Sequence, residues 1–439
     1  MRYRTVSYYG EFHCIGGSCE DSCCEHWEID LDEASLKLYM KQKGEFGKRL
    51  RDCTRVRDRQ FILNGTRCPF LNPDNLCDIY LEMGEESLCR TCTNFPRHIE
   101  EYDDLKEVSL TMSCPEASRI MLAKQEKMRF VCREGTDAEY GLKPEAQTHP
   151  LAFWKKGKGN RLDKPLFDAL QPAREYLYSV LQDRRMGIRE RASVLLMLAA
   201  EFQEWIDEKQ YGRITERIRT LQETGSFPEY DKAALENRFA GSRLTEEPAS
   251  GWKADSEHAA DMEPSEKDTA ADMKPLRKDV VGREQWTKEV LNMYQGLETI
   301  REEWKKLLAD GMKLLYGLSE AEYRLAWQEF SAYYRQREYE LEHILVYYVF
   351  QYFLGAAYDH DVLTRVKFAV VSLLVIMELD LAVWLQKGKQ FTYEDQVMVA
   401  HAYSKEVEHS YDNFEALWLV LSAHPILDTD HILTALLSE

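Results

Sequence analysis

Apolar residues recur at alternating four- and three-residue steps through much of this chain, the spacing that lines one face of an α-helix. Ile188, Ala192, Leu195, Ala199, Phe202 and Ile206 form one such stripe, and residues 145–240 around them read as packed helices. Past Val280 a second stripe runs through Trp286, Val290, Met293, Leu297, Ile300, Trp304 and Leu307. Leu341 to Tyr358 is apolar and aromatic all round, which predicts a helix central to a bundle. Phe368 to Met377 is the most apolar run, and Lys367, Glu378 and Asp380 bound it closely. A spanning helix needs about twenty apolar residues. The run therefore predicts a buried core helix and no transmembrane segment, with room left for a peripheral membrane contact. Thr392 with Asp395 three residues on predicts a capping box that opens the helix carrying His401.

The first 135 or so residues have weaker periodicity. Asp32 to Met40 predicts a short helix with Leu36, Tyr39 and Met40 on one face, and Cys77 to Leu88 a second with Ile79, Tyr80 and Met83. Glu107 to Met112 alternates apolar and polar, the pattern of a half-buried strand. Ser242 to Asp279 lacks Ile, Val, Phe, Tyr and Cys and cannot bury enough apolar surface to offset ordering entropy. The expected organisation is mainly α. A small loop-rich cysteine module spans 1–140, a helical bundle comes in two parts (141–240 and 280–439), and a flexible linker or insertion lies at 241–279.

Composition sharpens this picture. A chain of 439 residues is longer than one core comfortably serves. Hydrophobic content of 44% with 30% charged residues describes a soluble globular protein. A formal charge of −19 argues against a broad nucleic-acid interface, which needs a basic face. It suits a lysine-bearing partner, or simply a solvated acidic surface. The opening MRYRTVSYYGEFHC has no apolar leader segment, which predicts a cytoplasmic protein.

All eleven cysteines lie between Cys14 and Cys132. In a reducing compartment such a cluster points to metal binding or redox chemistry rather than disulfides. Cys14, Cys19, Cys23 and Cys24 form one knot, and Cys68, Cys77, Cys89, Cys92 and Cys114 a second, in which Cys89-x2-Cys92 can chelate one ion or cluster. Cys23 and Cys24 are adjacent, so in extended backbone their sulfurs point apart. Cys53 and Cys132 fit buried or incidental thiols. His13, His26 and His98 lie beside the cysteines as ligands, supporting residues or ordinary polar groups. Arg90 and Arg97 flank Cys92 and could hold a cofactor carboxylate or a cluster's negative charge. Trp27, Phe95 and Tyr102 read as builders of a small core. His401, Lys405 and Glu408 share a helix face that reads as solvated or ion-paired. The C-x3-C-x2-C triad, a dinucleotide-binding glycine fingerprint and a P-loop are all missing.

The runs FHCIGGSCEDSCCEHWEID, CPFLNPDNLCDIYLEMGEESLCRTCTNFPRHIEE and SLTMSCPEASR resemble the flagellin lysine-N-methylase family. So do ILVYYVFQYFLGAAYD, ELDLAVWL and EDQVMVAHAYSKEVEHS further on. The shorter cysteine core also resembles a wider family of small proteins thought to bind zinc or iron. The first resemblance implies methyl transfer from S-adenosylmethionine to lysines of flagellin, in the cytoplasm before export, with a [4Fe-4S] cluster. The matching positions are Cys14, Cys19, Cys23, Cys24, Cys68, Cys77, Cys89, Cys92 and Cys114. That is more than the four one cluster needs, so either a second metal site exists or several thiols are not ligands. The alternatives are a non-catalytic zinc- or iron-binding scaffold and, with less to support it, a cluster-based oxidoreductase.

Overall fold

The computed structural model describes residues 1–27, 29–143, 161–225 and 281–438. The stretch expected to be a linker lies outside them. The described part is mainly α, with one four-stranded sheet ordered β4-β5-β1-β6. β1 (Arg2–Val6) pairs in parallel with β5 (Leu105–Leu110) and antiparallel with β6 (Phe130–Glu134). β4 (Arg97–Tyr102) forms a hairpin with β5 through Asp103, whose φ of 54° supplies the tight turn.

The strand read at Glu107 to Met112 is β5, but it is buried on both faces. Its polar positions face protein partners instead of water. Glu107 is held by the fully buried Arg174, and Ser109 accepts a hydrogen bond from Gln351 at 3.0 Å. Lys106 meets Glu101 and Asp137, each at 2.6 Å. Alternation normally marks a solvated face; here an interior strand covered on both sides produces the same pattern.

Between β1 and β4 the chain folds around a core of its own, with Ile29, Leu31, Tyr39, Leu50, Phe61 and Phe70 at its centre and Cys68 and Cys89 in its wall. Helix α1 (Glu33–Lys41) opens on Asp32, whose carboxylate accepts from Ser35 N at 2.9 Å. α2 (Gly44–Asp52) and a short ladder of β2 (Thr54–Arg55) with β3 (Gln60–Phe61) follow. The helix expected over Cys77 to Leu88 is α3 (Asp78–Met83). It stops at Gly84, whose φ of 86° an L-residue rarely adopts, and leaves Tyr80 exposed. α4 (Arg90–Asn94) starts at Cys89, and α5 (Pro115–Leu122) at Cys114.

The helical part comprises α6 (Lys164–Leu181), α7 (Ile188–Asp207), α8 (Tyr211–Thr224), α9 (Arg283–Gln295), α10 (Glu302–Tyr316), α11 (Glu320–Tyr334), α12 (Glu338–Tyr352), α13 (Ala356–Asp359), α14 (Val362–Gln386), α15 (Tyr393–Glu408), α16 (Tyr411–Ala423) and α17 (Thr429–Leu437). The Ile188 stripe is buried along α7, as its spacing predicts. The Trp286–Leu307 stripe is not one helix. It breaks between α9 and α10, where Glu406 accepts from Ile300 N and Asn413 bonds both backbone groups of Glu298. Those side chains satisfy backbone that a continuous helix would have satisfied itself.

α14 is long and apolar enough to cross a bilayer, but 94% of its most apolar stretch is buried against α7, α10, α12, α15 and α16. It is a core helix. Lys367, Glu378 and Asp380 do not end it; they lie inside it, buried and hydrogen-bonded, Glu378 to Tyr323 at 2.8 Å and Arg283 at 3.0 Å.

Candidate functional site

The cysteine segment is held in place by ordinary polar stitching. Asp32 accepts from Arg90 N at 2.9 Å, which ties the Cys89 turn to the cap of α1. Cys68 N donates to Cys24 O at 2.8 Å. Arg49 bridges Asp78 and Pro69 O beside Cys68 and Cys77. Asn72 closes the loop between those two cysteines by accepting from Asp74 N and Leu76 N.

All eleven thiols are free. Cys23 and Cys24 are hydrogen-bonded to each other, as are Cys89 and Cys92. Cys92 lies in the field of Cys89, Cys24 and Cys23, and Cys68 in that of Cys24, Cys77 and Cys89. These six sulfurs form one group. Cys114 lies near Cys19 and Cys14 in a second. Cys53 packs at the edge of the small core, and Cys132 is exposed on β6. Burial pushes the Cys68 and Cys114 thiols up to about 12, while the hydrogen bond from Cys23 brings Cys24 down to about 7. The donor set has the chemistry of a soft-metal or cluster site. The sulfurs stand in pairs, however, and among the described residues no three His, Cys, Asp or Glu side chains close around a point as one ion's ligands would.

The expected histidines separate. His13 is exposed with Nδ1 on Glu11 O, His26 adopts a φ of 70° beside Cys24, and His98 is buried with its ring edge toward Tyr352.

His401, Lys405 and Glu408 are not a solvated face, because the cysteine segment covers them. Asp21, between Cys19 and Cys23, reaches α15 and accepts from His401 Nε2 at 2.6 Å and Lys405 Nζ at 2.8 Å. Arg301 adds a second ion pair beside that of Lys405, and Asp21 itself is 8% exposed. Desolvation would raise its pKa, but His401 and Lys405 outweigh that and hold the carboxyl below the usual range. Nothing in the local sequence separates Asp21 from an ordinary acidic loop residue.

Glu408 goes elsewhere. It accepts hydrogen bonds from Tyr347 at 3.0 Å and Tyr352 at 2.6 Å, with Tyr348 at 3.5 Å. All three tyrosines come from α12, in the all-apolar stretch around Leu341–Tyr358. Three phenols on a buried helix must find partners, and that was the available signal. Glu408 opens into a cleft of about 180 Å³. Its other wall comes from the cysteine segment, where Trp27 and Phe95 pack against His409 at 5.0 and 5.3 Å between ring centres. Trp27 packs against the small core and Phe95 against the large one while both line the cavity, and Tyr102 lies in the large core, stacked on Phe167. Arg90 and Arg97 reach the same cleft. Arg97 donates to Tyr9 Oη at 3.0 Å and passes close to Gly141, where a Cβ would lie 3.1 Å from the guanidinium.

Comparison with known proteins bears on this arrangement. Residues 252–435 match the family model of the FliB lysine N-methylase C-terminal domain, the part that supplies Tyr347, Tyr348, Tyr352, His401, Lys405 and Glu408. The chain is 28% identical over 136 residues to the flagellar biosynthetic protein FliU of Salmonella muenchen, covering 28% of this chain and 78% of that protein. It has the same identity, over the same length, to the lysine-N-methylases of Salmonella typhimurium and Salmonella choleraesuis, where the match spans 33% of each relative. No solved structure matches. Family model and relatives agree with the motifs read from the residues: the C-terminal part matches the lysine N-methylase domain, and the chain is similar to members of the flagellin lysine-N-methylase family.

Proposed function

We propose that this protein is a protein-lysine N-methyltransferase acting on flagellin in the cytoplasm, with S-adenosylmethionine as methyl donor and a cysteine-held [4Fe-4S] cluster. Zinc is the alternative metal. One observation carries the reading. The stretch that matches the lysine N-methylase domain contributes Glu408 and Tyr352 to a cleft whose opposite wall is the cysteine segment. Cys23, Cys24, Cys68, Cys77, Cys89 and Cys92 are the residues that would hold the cluster. Bound there, it would supply either a clasp for the small core or a seat for the donor's amino and carboxylate groups. Arg90, beside Cys89 at the cleft, suits a donor carboxylate.

The chain's own residues address the acceptor. A free lysine has a pKa near 10.4, so roughly one in a thousand is neutral at pH 7. Withdrawal from water lowers that pKa and a nearby base can accept the proton, which frees the nitrogen lone pair to react. His409 is neutral at pH 7, because burial pulls its pKa down to about 3. It adds no positive charge to compete with the substrate's.

The test is transfer of labelled methyl from S-adenosylmethionine to purified flagellin, with iron, sulfide and zinc measured on anaerobically purified protein. Label on flagellin lysines, with iron and sulfide near four each per chain, is the expected result. A zinc-loaded protein that transfers no methyl group would leave only the scaffold.

A further inference from the structure

Most buried carboxylates among the described residues meet a cation, though Glu406 is held by backbone N–H groups and Asp380 by Gln396. Glu107 faces Arg174, Glu342 faces Arg191, Glu378 faces Arg283, and Asp21 faces Lys405. Glu408 does not. Its hydrogen bonds come from phenols, and among the described residues no Lys, Arg or His stands within ion-pair distance of it. Lys405, on the same helix, is committed to Asp21, and Arg97, in the cleft lining, to Tyr9 and Thr93 O.

We infer that Glu408, set among Tyr347, Tyr348 and Tyr352 and facing Trp27 and Phe95, is the seat of the acceptor's lysyl ammonium; the inference rests on the methyltransferase reading above.

Three features fit that ligand. Three phenol donors hold the carboxylate in one orientation, so no reorganisation is needed when a cation arrives. Trp27 and Phe95 line the cleft with aromatic surface that suits a cation and the apolar four-carbon chain that carries it. The cleft, at about 180 Å³, is well below the roughly 300–1,000 Å³ of pockets for whole small molecules, and suits one side chain. Burial raises the proton affinity of Glu408, so the carboxylate gains most from a partner that brings its own positive charge.

The experiment is calorimetric binding of N-acetyl-lysine methylamide to the full chain, with N-acetyl-norleucine methylamide as the uncharged isostere. The lysine probe should bind and the norleucine probe should not. Glu408→Gln should weaken the lysine probe at least tenfold, Tyr352→Phe should weaken it several-fold, and both should leave the affinity for S-adenosylhomocysteine unchanged. Equal binding of the two probes, no binding of the lysine probe to wild type, or an unchanged affinity in folded Glu408→Gln overturns the inference. If Glu408→Gln does not fold, unchanged lysine affinity in Tyr352→Phe overturns it. Loss of S-adenosylmethionine binding alone would assign the cleft to the sulfonium and overturn it too. The two readings fail separately. Wild type that binds the lysine probe but methylates nothing defeats the methyltransferase, while Glu408→Gln methylating flagellin at wild-type KM defeats the ammonium seat.

Discussion

Asp21→Asn is the sharpest probe of how the cysteine segment is joined to the helices. The carboxylate is 8% exposed and is held by Arg301, Lys405 and His401, and Lys405 behind it is 3% exposed. Removing one partner of a buried pair costs about 3–5 kcal/mol, because the other charge stays buried and uncompensated. Asparagine keeps the shape and one acceptor oxygen, and Lys405 retains Ser22 O at 3.4 Å, so the expected cost lies at about 3 kcal/mol. Spent on local opening of residues 14–24, that raises the open population roughly a hundredfold. Hydrogen exchange of the loop amides reads it directly, and alkylation of Cys19 and Cys23 under exchange conditions reads it a second way. Asp21→Asn with Lys405→Met should recover part of the loss, since the most buried of the cations is then no longer stranded. If loop exchange in Asp21→Asn stays within threefold of wild type, Asp21 is not the latch and the join must lie in apolar packing.

Other consequences are open to measurement. Arg174→Met should cost about 3–5 kcal/mol in urea unfolding by stranding Glu107 in the sheet, and Arg174→Met with Glu107→Leu should recover most of it. Burial raises Glu406 to about 7, above an unfolded value near 4.3. Its contribution is therefore complete below about pH 4.3 and is lost as pH rises through about 7, a change on the order of 1–3 kcal/mol. Glu406→Gln should flatten the stability profile between pH 5 and 8, and an unaltered profile would place the titration elsewhere. Cys68→Ala and Cys92→Ala should lower the bound iron or zinc per chain, whereas Cys132→Ser, exposed on β6, should leave it as it was.

Much of the architecture was legible from periodicity. The stripe on α7, the all-apolar α12, the buried α14, the short helix after Asp32 and the Thr392–Asp395 capping box need only local spacing, and each stands where the spacing puts it. Local spacing misled where distant groups intervened. Glu406 and Asn413 broke the Trp286–Leu307 stripe, and the covering of β5 by helices made an alternating strand wholly buried. β1, β4 and β6 had no distinct pattern, since strands this short are defined by the partners they pair with.

The sequence by itself determined the helical class of the protein, the family it resembles and the crowding of its thiols, because these follow from residue type and near-neighbour spacing. Only the tertiary structure decided that His401 and Lys405 clamp Asp21 while Glu408, on the same helix, turns to the tyrosines of α12. Asp21 and Lys405 are 384 positions apart in the chain, and a charge reveals its purpose only when folding removes water and supplies its partner.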